Sequence, residues 1–180
     1  MKKFILPGMA LALIIVAGSA TAAPSVGSFG INVDLTNSTT PLGTPSDFLV
    51  KGKYVIASGI AVLAGVGLQM NDSGAATNNK YTNIGFMGGI RKYSRTEDFS
   101  PFIGGKLQYL STRQGTNDVT DFALMAEAGA EYFLGKQFSL EGSVGGGYAS
   151  RESKPVGGVV STKATGFGSA TFNVSANFYF

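Results

Sequence analysis

The chain has 180 residues, and only 14% of them are charged, against about 25% in an average soluble domain. It has no cysteine and no histidine, which removes a disulfide framework, a thiolate nucleophile, a lipid-modified N-terminal cysteine and the side chain that titrates near neutral pH. Fourteen basic residues face 11 acidic ones. Setting Lys2 and Lys3 aside leaves 12 against 11, a net +1 that gives no electrostatic footprint for nucleic acid.

The chain opens on Lys2 and Lys3, followed by an apolar run from Phe4 to Val16 that is broken by Pro7 and Gly8. At 13 residues the run is too short to cross a bilayer core of about 30 Å as a helix. Ala20-Thr21-Ala22 then offers an A-x-A cleavage pattern before Ala23. The expectation is a signal peptide over 1–22 and one mature domain over 23–180.

Downstream, no segment approaches 18 consecutive apolar residues, which excludes helical membrane spans. Eight segments alternate apolar and polar residues instead, near 26–35, 47–57, 59–70, 82–93, 100–111, 121–133, 137–149 and 166–180. A strand sends successive side chains to opposite faces, so each segment has one apolar and one polar face. Tilted membrane strands need about 9 to 11 residues, which fits. The connections Thr36–Ser46, Asn71–Tyr81, Thr112–Thr120 and Ser150–Thr165 are long and polar, whereas Ala57-Ser58, Ser94–Phe99 and Leu134–Lys136 are short. The expected fold is all-β, an eight-stranded antiparallel up-and-down transmembrane β-barrel with long loops outside and short turns in the periplasm.

Aromatic residues recur near the short-turn side as Tyr54, Tyr93, Tyr132 with Phe133, and Tyr179 with Phe180, the first three 39 residues apart. They are expected to form one interfacial girdle, with Phe48, Tyr81, Tyr109 and Tyr148 near the other.

The parity of the charges carries more information than the apolar pattern. With the apolar face outside, Lys51, Lys53, Arg91 and Lys106 point inward together with Asp34, Glu127, Glu131 and Glu141. Lys92 alone takes the outward parity, beside a turn where a long side chain reaches water. A soluble ligand-binding barrel would invert this scheme. An eight-stranded barrel is just wide enough to be filled by its own side chains, so four bases and four acids are expected to pair and plug it. Inward glycines (Gly65, Gly67, Gly85, Gly89, Gly145, Gly147) leave room for water and keep a narrow leak open as an expectation.

On five stretches the chain resembles the small outer-membrane barrel proteins of the OmpX/OmpA type. These are GKYVIASGIAVLAGVG (52–67), GGIRKY (88–93), PFIGGK (101–106), AGAEYFLGKQFSLE (128–141) and NFYF (177–180). The resemblance implies insertion in the outer membrane of a Gram-negative cell. It also implies that the assembly machinery there reads the last strand, with Phe178 and Phe180 as the signal. A periplasmic domain after the barrel, as in the OmpA pattern, is not expected, so peptidoglycan anchoring has no support.

Enzymes of this architecture lean on a histidine or an activated nucleophile. The histidine is missing here, so no catalytic residue is expected. Gly142–Gly147 looks like a phosphate loop but lies mid-strand. No group has metal-ligand spacing, and no cofactor is expected.

Two functions stay open. One is a structural or surface-interaction role through the loops, where Arg151, Lys154 and Lys163 are candidate contacts for lipopolysaccharide phosphates. The other is a small passive porin-like channel for ions or small solutes. Partners are expected to be outer-membrane lipids and lipopolysaccharide and the assembly machinery, with no nucleic acid and a monomeric state.

Overall fold

A computed structural model describes residues 24–36, 49–72, 80–94, 97–115, 117–155 and 161–180. The proposed signal peptide and Phe48 lie outside them. Eight strands follow one another: β1 (Phe29–Asp34), β2 (Val50–Ala57), β3 (Ile60–Asp72), β4 (Lys80–Tyr93), β5 (Phe99–Gln114), β6 (Asn117–Gly135), β7 (Phe138–Pro155) and β8 (Thr162–Tyr179). Each pairs antiparallel with the next, and β8 returns to β1 to close the barrel. The closure is clipped at its end by Phe180 N–H donating to the Phe29 carbonyl at 2.8 Å. The architecture is the one the alternation implied.

Several strands run beyond their expected limits. The stretch 112–120 is strand, with Arg113 opposite Asp118 and Gln114 opposite Asn117 across a turn at Gly115. That turn needs a left-handed residue, and Gly115 supplies it at φ 58°. Likewise β7 and β8 continue past the expected loop boundaries until Ser153 pairs with Thr162. Threonine, valine and serine there satisfy a ladder as well as a loop, and β-branched residues favour the ladder. The paired hairpins β5–β6 and β7–β8 therefore reach farther than the six-residue β1 and eight-residue β2.

The outward face carries the apolar residues. Val33, Val62, Leu68, Ile84, Ile90, Ile103, Leu107, Leu124 and Val144 are all exposed on it. A continuous apolar wall of this kind is not a water-facing surface. Cross-strand register groups the outward aromatics into two belts. Near the short turns Phe29 faces Tyr54, Phe99 faces Tyr132, and Phe138 meets Phe178 with ring centroids 5.1 Å apart. Toward the other end Phe86 faces Tyr109, Tyr109 faces Phe122, and Tyr148 faces Phe167.

The belts correct two expectations. Tyr93, Phe133 and Tyr179 belong to the inward parity of Arg91, Glu131 and Asn177 and are not in the lower girdle. Tyr81 is half-buried on the inward parity of β4, and Phe86 stands in the upper belt of that strand. A third correction concerns β8. Gly145 pairs with Thr171 but Gly147 pairs with Gly168, so three residues of β8 match two of β7. This bulge reverses the parity above it, and odd-numbered Phe167 points outward at 87% exposure. The approach there is close: a Cβ on Gly147 would overlap the Leu124 carbonyl oxygen.

Candidate functional site: the charged lumen

Strand parity and register bring polar side chains from seven of the eight strands to one axis, β3 lining it with Ala61 and Leu63. The deepest group is Glu131 on β6, which has no exposed surface. Its Oε2 accepts from Lys53 Nζ at 2.8 Å and from the Tyr93 hydroxyl at 2.8 Å. Its Oε1 accepts from the Ser139 hydroxyl at 2.5 Å, the Tyr179 hydroxyl at 2.6 Å and Asn177 Nδ2 at 2.9 Å. Burying a carboxylate is costly unless it is paired and hydrogen-bonded, and here five donors from β2, β4, β7 and β8 converge on one.

The same lysine joins a second acid. Lys53 Nζ lies 2.9 Å from Glu141 Oε2, which also takes Arg91 Nη1 at 2.6 Å. Arg91 turns its Nε to Glu127 Oε1 at 2.5 Å and stacks its guanidinium over Phe102, 4.2 Å from the ring centroid. Lys106 approaches the other Glu127 oxygen at 3.4 Å. Lys51 pairs with Asp34, which also accepts from Asn173 Nδ2 at 3.1 Å. All eight charges singled out by parity thus lie in the interior, each within ion-pair distance of an opposite one.

The spacing around the ring decides what this arrangement does. In a closed ring of eight, β2 and β6 stand four strands apart whichever way one counts. The Lys53–Glu131 contact therefore crosses the full diameter. Arg91 to Glu141 spans β4 to β7, a second chord at nearly the same height. A solute would have to break both.

Several inward glycines are covered by neighbouring side chains, Gly65 among them. Aromatic rings and long side chains occupy the space they leave. Tyr179 lies on Gly30, Phe102 on Gly129, the Arg91 stem on Gly104, and Met87 with Lys51 on Gly65. One cavity beside Lys53, Tyr93 and Tyr179 and another beside Lys51, Arg91 and Glu141 each measure about 20 Å³. Such a volume holds about one water molecule. On the short-turn side Tyr93, Phe133 and Tyr179 cap the network, with Phe133 and Tyr179 ring centroids 5.9 Å apart. On the opposite side the lining turns apolar at Leu110, Ala123, Met125 and Ala149, and above it Asp121 pairs with Arg151 Nε at 2.8 Å.

The three bases expected to act together at the outer rim are divided. Arg151 points inward to Asp121, whereas Lys154 is exposed and lies 2.9 Å from Glu152. Lys163 is exposed on β8 opposite Glu152. All three sit on strand extensions. Phe178 and Phe180 lie on the outer wall, Phe178 against Phe138 and Phe180 exposed.

Sequence reasoning set Tyr93 and Tyr179 in an aromatic girdle, left Phe102 unassigned, and put Asp121, Ser139 and Asn177 on the polar parity without counting them in the charge network. The signal was present: each stands an even number of residues from a charged or polar inward residue on its own strand, hence on the same face. Among the described residues no group of acids has the geometry of a metal site.

No family model matches the sequence, and no curated protein matches it. The fold is similar to that of the outer membrane protein OprG from Pseudomonas aeruginosa, with a TM-score of 0.55 over 88% of this chain and 98% of that one, at 13% identity. A major outer membrane protein from Thermus thermophilus is also similar, at a TM-score of 0.44 and 13% identity, covering 86% of this chain and 99% of that one. At such identity the likeness to OprG is one of fold. It gives this chain the architecture of an outer-membrane β-barrel.

Proposed function

We propose that this protein is an integral outer-membrane barrel of the small OmpX/OmpA type, plugged by its own ion pairs, with a structural or surface-interaction role carried by its outer rim. The supporting observation is the Lys53–Glu131 contact at 2.8 Å across the barrel diameter. In this reading residues 1–22 direct export and are removed, and 23–180 form the membrane domain. Phe178 and Phe180, on the outer wall of the closing strand, present the signal to the assembly machinery of a Gram-negative cell. The protein acts as a monomer among outer-membrane lipids and lipopolysaccharide. It performs no catalysis, because its buried carboxylates are held in ion pairs beside no histidine.

At the rim Lys154 and Lys163 are the bases positioned to meet lipopolysaccharide phosphates. They stand outward beyond the upper aromatic belt, while Arg151 is engaged with Asp121.

Cell fractionation followed by boiled and unboiled gel migration tests the location, and a heat-modifiable band in the outer-membrane fraction is expected. Liposome swelling in a small sugar tests the plug. Proteoliposomes should swell no faster than empty ones. Swelling at a porin-like rate would replace this reading with the small passive channel.

A further inference from the structure

The outer wall is not uniformly covered. Where β3, β4, β5 and β6 adjoin, a groove of about 550 Å³ runs between Ile60, Ile90 and Ile103 over Gly105 and Ala126, with inward-parity Arg91 and Glu127 also in its lining. That is the size of a ligand pocket. Register orders these residues along the wall: Ile60 and Ile103 flank Lys92, and one pleat farther from the short turns Ile90 is followed by Gly105 and Ala126. The floor is open because of its side chains, and the backbone does not demand it. A Cβ at Gly105 would meet only the Met125 carbonyl oxygen at 3.6 Å, an ordinary contact. At neighbouring Gly104, by contrast, a Cβ would crowd the Ile90 carbonyl oxygen at 2.7 Å.

One end of the groove carries a charge. Lys92 lines it, is exposed, and has no ion-pair partner among the described residues. It sits level with the lower aromatic belt, since its partner Ile60 is two residues from Val62, which faces Tyr54. An apolar channel that starts at an interfacial cation and runs toward the membrane centre has the polarity of one lipid, headgroup first.

We propose that this groove seats one anionic phospholipid of the leaflet on the short-turn side, its phosphate on Lys92 and one acyl chain along Gly105 and Ala126 between the isoleucines. The proposal rests on the membrane orientation given above. The phosphate supplies the counter-charge that Lys92 lacks in the protein, and the chain gains dispersion contacts that a flat wall would not give.

Native mass spectrometry of the folded protein released from equimolar phosphatidylglycerol and phosphatidylcholine vesicles tests it. The wild type should retain one phosphatidylglycerol in preference to phosphatidylcholine. Lys92→Gln should lower that preference about fivefold, the effect of one interfacial cation on an anionic lipid, and Lys92→Arg should restore it. Gly105→Leu, with Ala126→Leu as a second groove-filling variant, should reduce retention of both lipids. Lys136→Gln, which removes a turn cation at the same membrane side, should change nothing. An unaltered preference in Lys92→Gln, full retention in both filled variants, or an equal loss in Lys136→Gln overturns the proposal. Each variant is first checked for heat-modifiable migration, so that a folded barrel without the lipid counts against the groove alone and a wild type that never folds into vesicles counts against the membrane orientation.

Discussion

The two ends of this barrel are built on different principles. Near the short turns the interior is ionic and tied across the diameter: Glu131 collects five donors, and Tyr93, Phe133 and Tyr179 close over it. Toward the other end the lining is apolar, the pairs are few, and the long β5–β8 hairpins reach past the short β1 and β2. Removing one partner of a buried ion pair costs about 3–5 kcal/mol, whereas an exposed pair contributes about 0–1 kcal/mol. The first end therefore carries the larger share of the ion-pair energy, and in the proposed reading it closes the lumen while the second meets other molecules.

The sharpest way to break this contrast is Glu131→Ala. It removes the shared acceptor of five buried donors, leaving the Tyr93 and Tyr179 hydroxyls without it and Lys53 with Glu141 alone, and should cost about 3–5 kcal/mol in urea unfolding from vesicles followed by gel shift. A loss below about 1 kcal/mol would show that this end is no more constrained than the surface pairs. Next in size is Val62→Arg on the outer wall, expected to cost about 2–4 kcal/mol by the same assay, since a charge there faces lipid. Unchanged folding yield would mean that the apolar parity does not face the membrane.

Glu127→Gln is milder, because Arg91 keeps its bond to Glu141 at 2.6 Å. About 1–3 kcal/mol of destabilisation is expected, with no large pore in conductance recordings. The smallest effect belongs to the outer end. Lys154→Gln breaks a pair with Glu152 whose side chains are 63% and 41% exposed, and should cost less than about 1 kcal/mol. A loss equal to that of Glu131→Ala would erase the distinction between the ends.

How much of this was legible in the sequence follows the same division. Residues 47–57, 82–93 and 121–149 alternate apolar with charged residues, so parity alone assigns their faces and gathers Lys53, Arg91, Glu131 and Glu141. Tyr93 and Tyr179 carry the same signal, but their aromatic character suggests an interfacial belt, and an amphipathic ring serves a lumen cap equally well. The outer end is harder to read. Thr112–Thr120 and Ser150–Thr165 consist of residues that suit loops and ladders alike, so their pairing is decided by the neighbouring strand. The β8 bulge lies where Gly166, Gly168, Ser169 and Ala170 give almost no alternation from which a parity reversal could be detected.

In the proposed reading the short-turn end seals the lumen. Planar-bilayer recording of the refolded wild-type protein tests it most directly. Insertion without stable unitary conductance steps is expected, because Lys53–Glu131 and Arg91–Glu141 both cross the lumen. Long-lived, uniform steps from protein whose heat-modifiable band shows a folded barrel would contradict it.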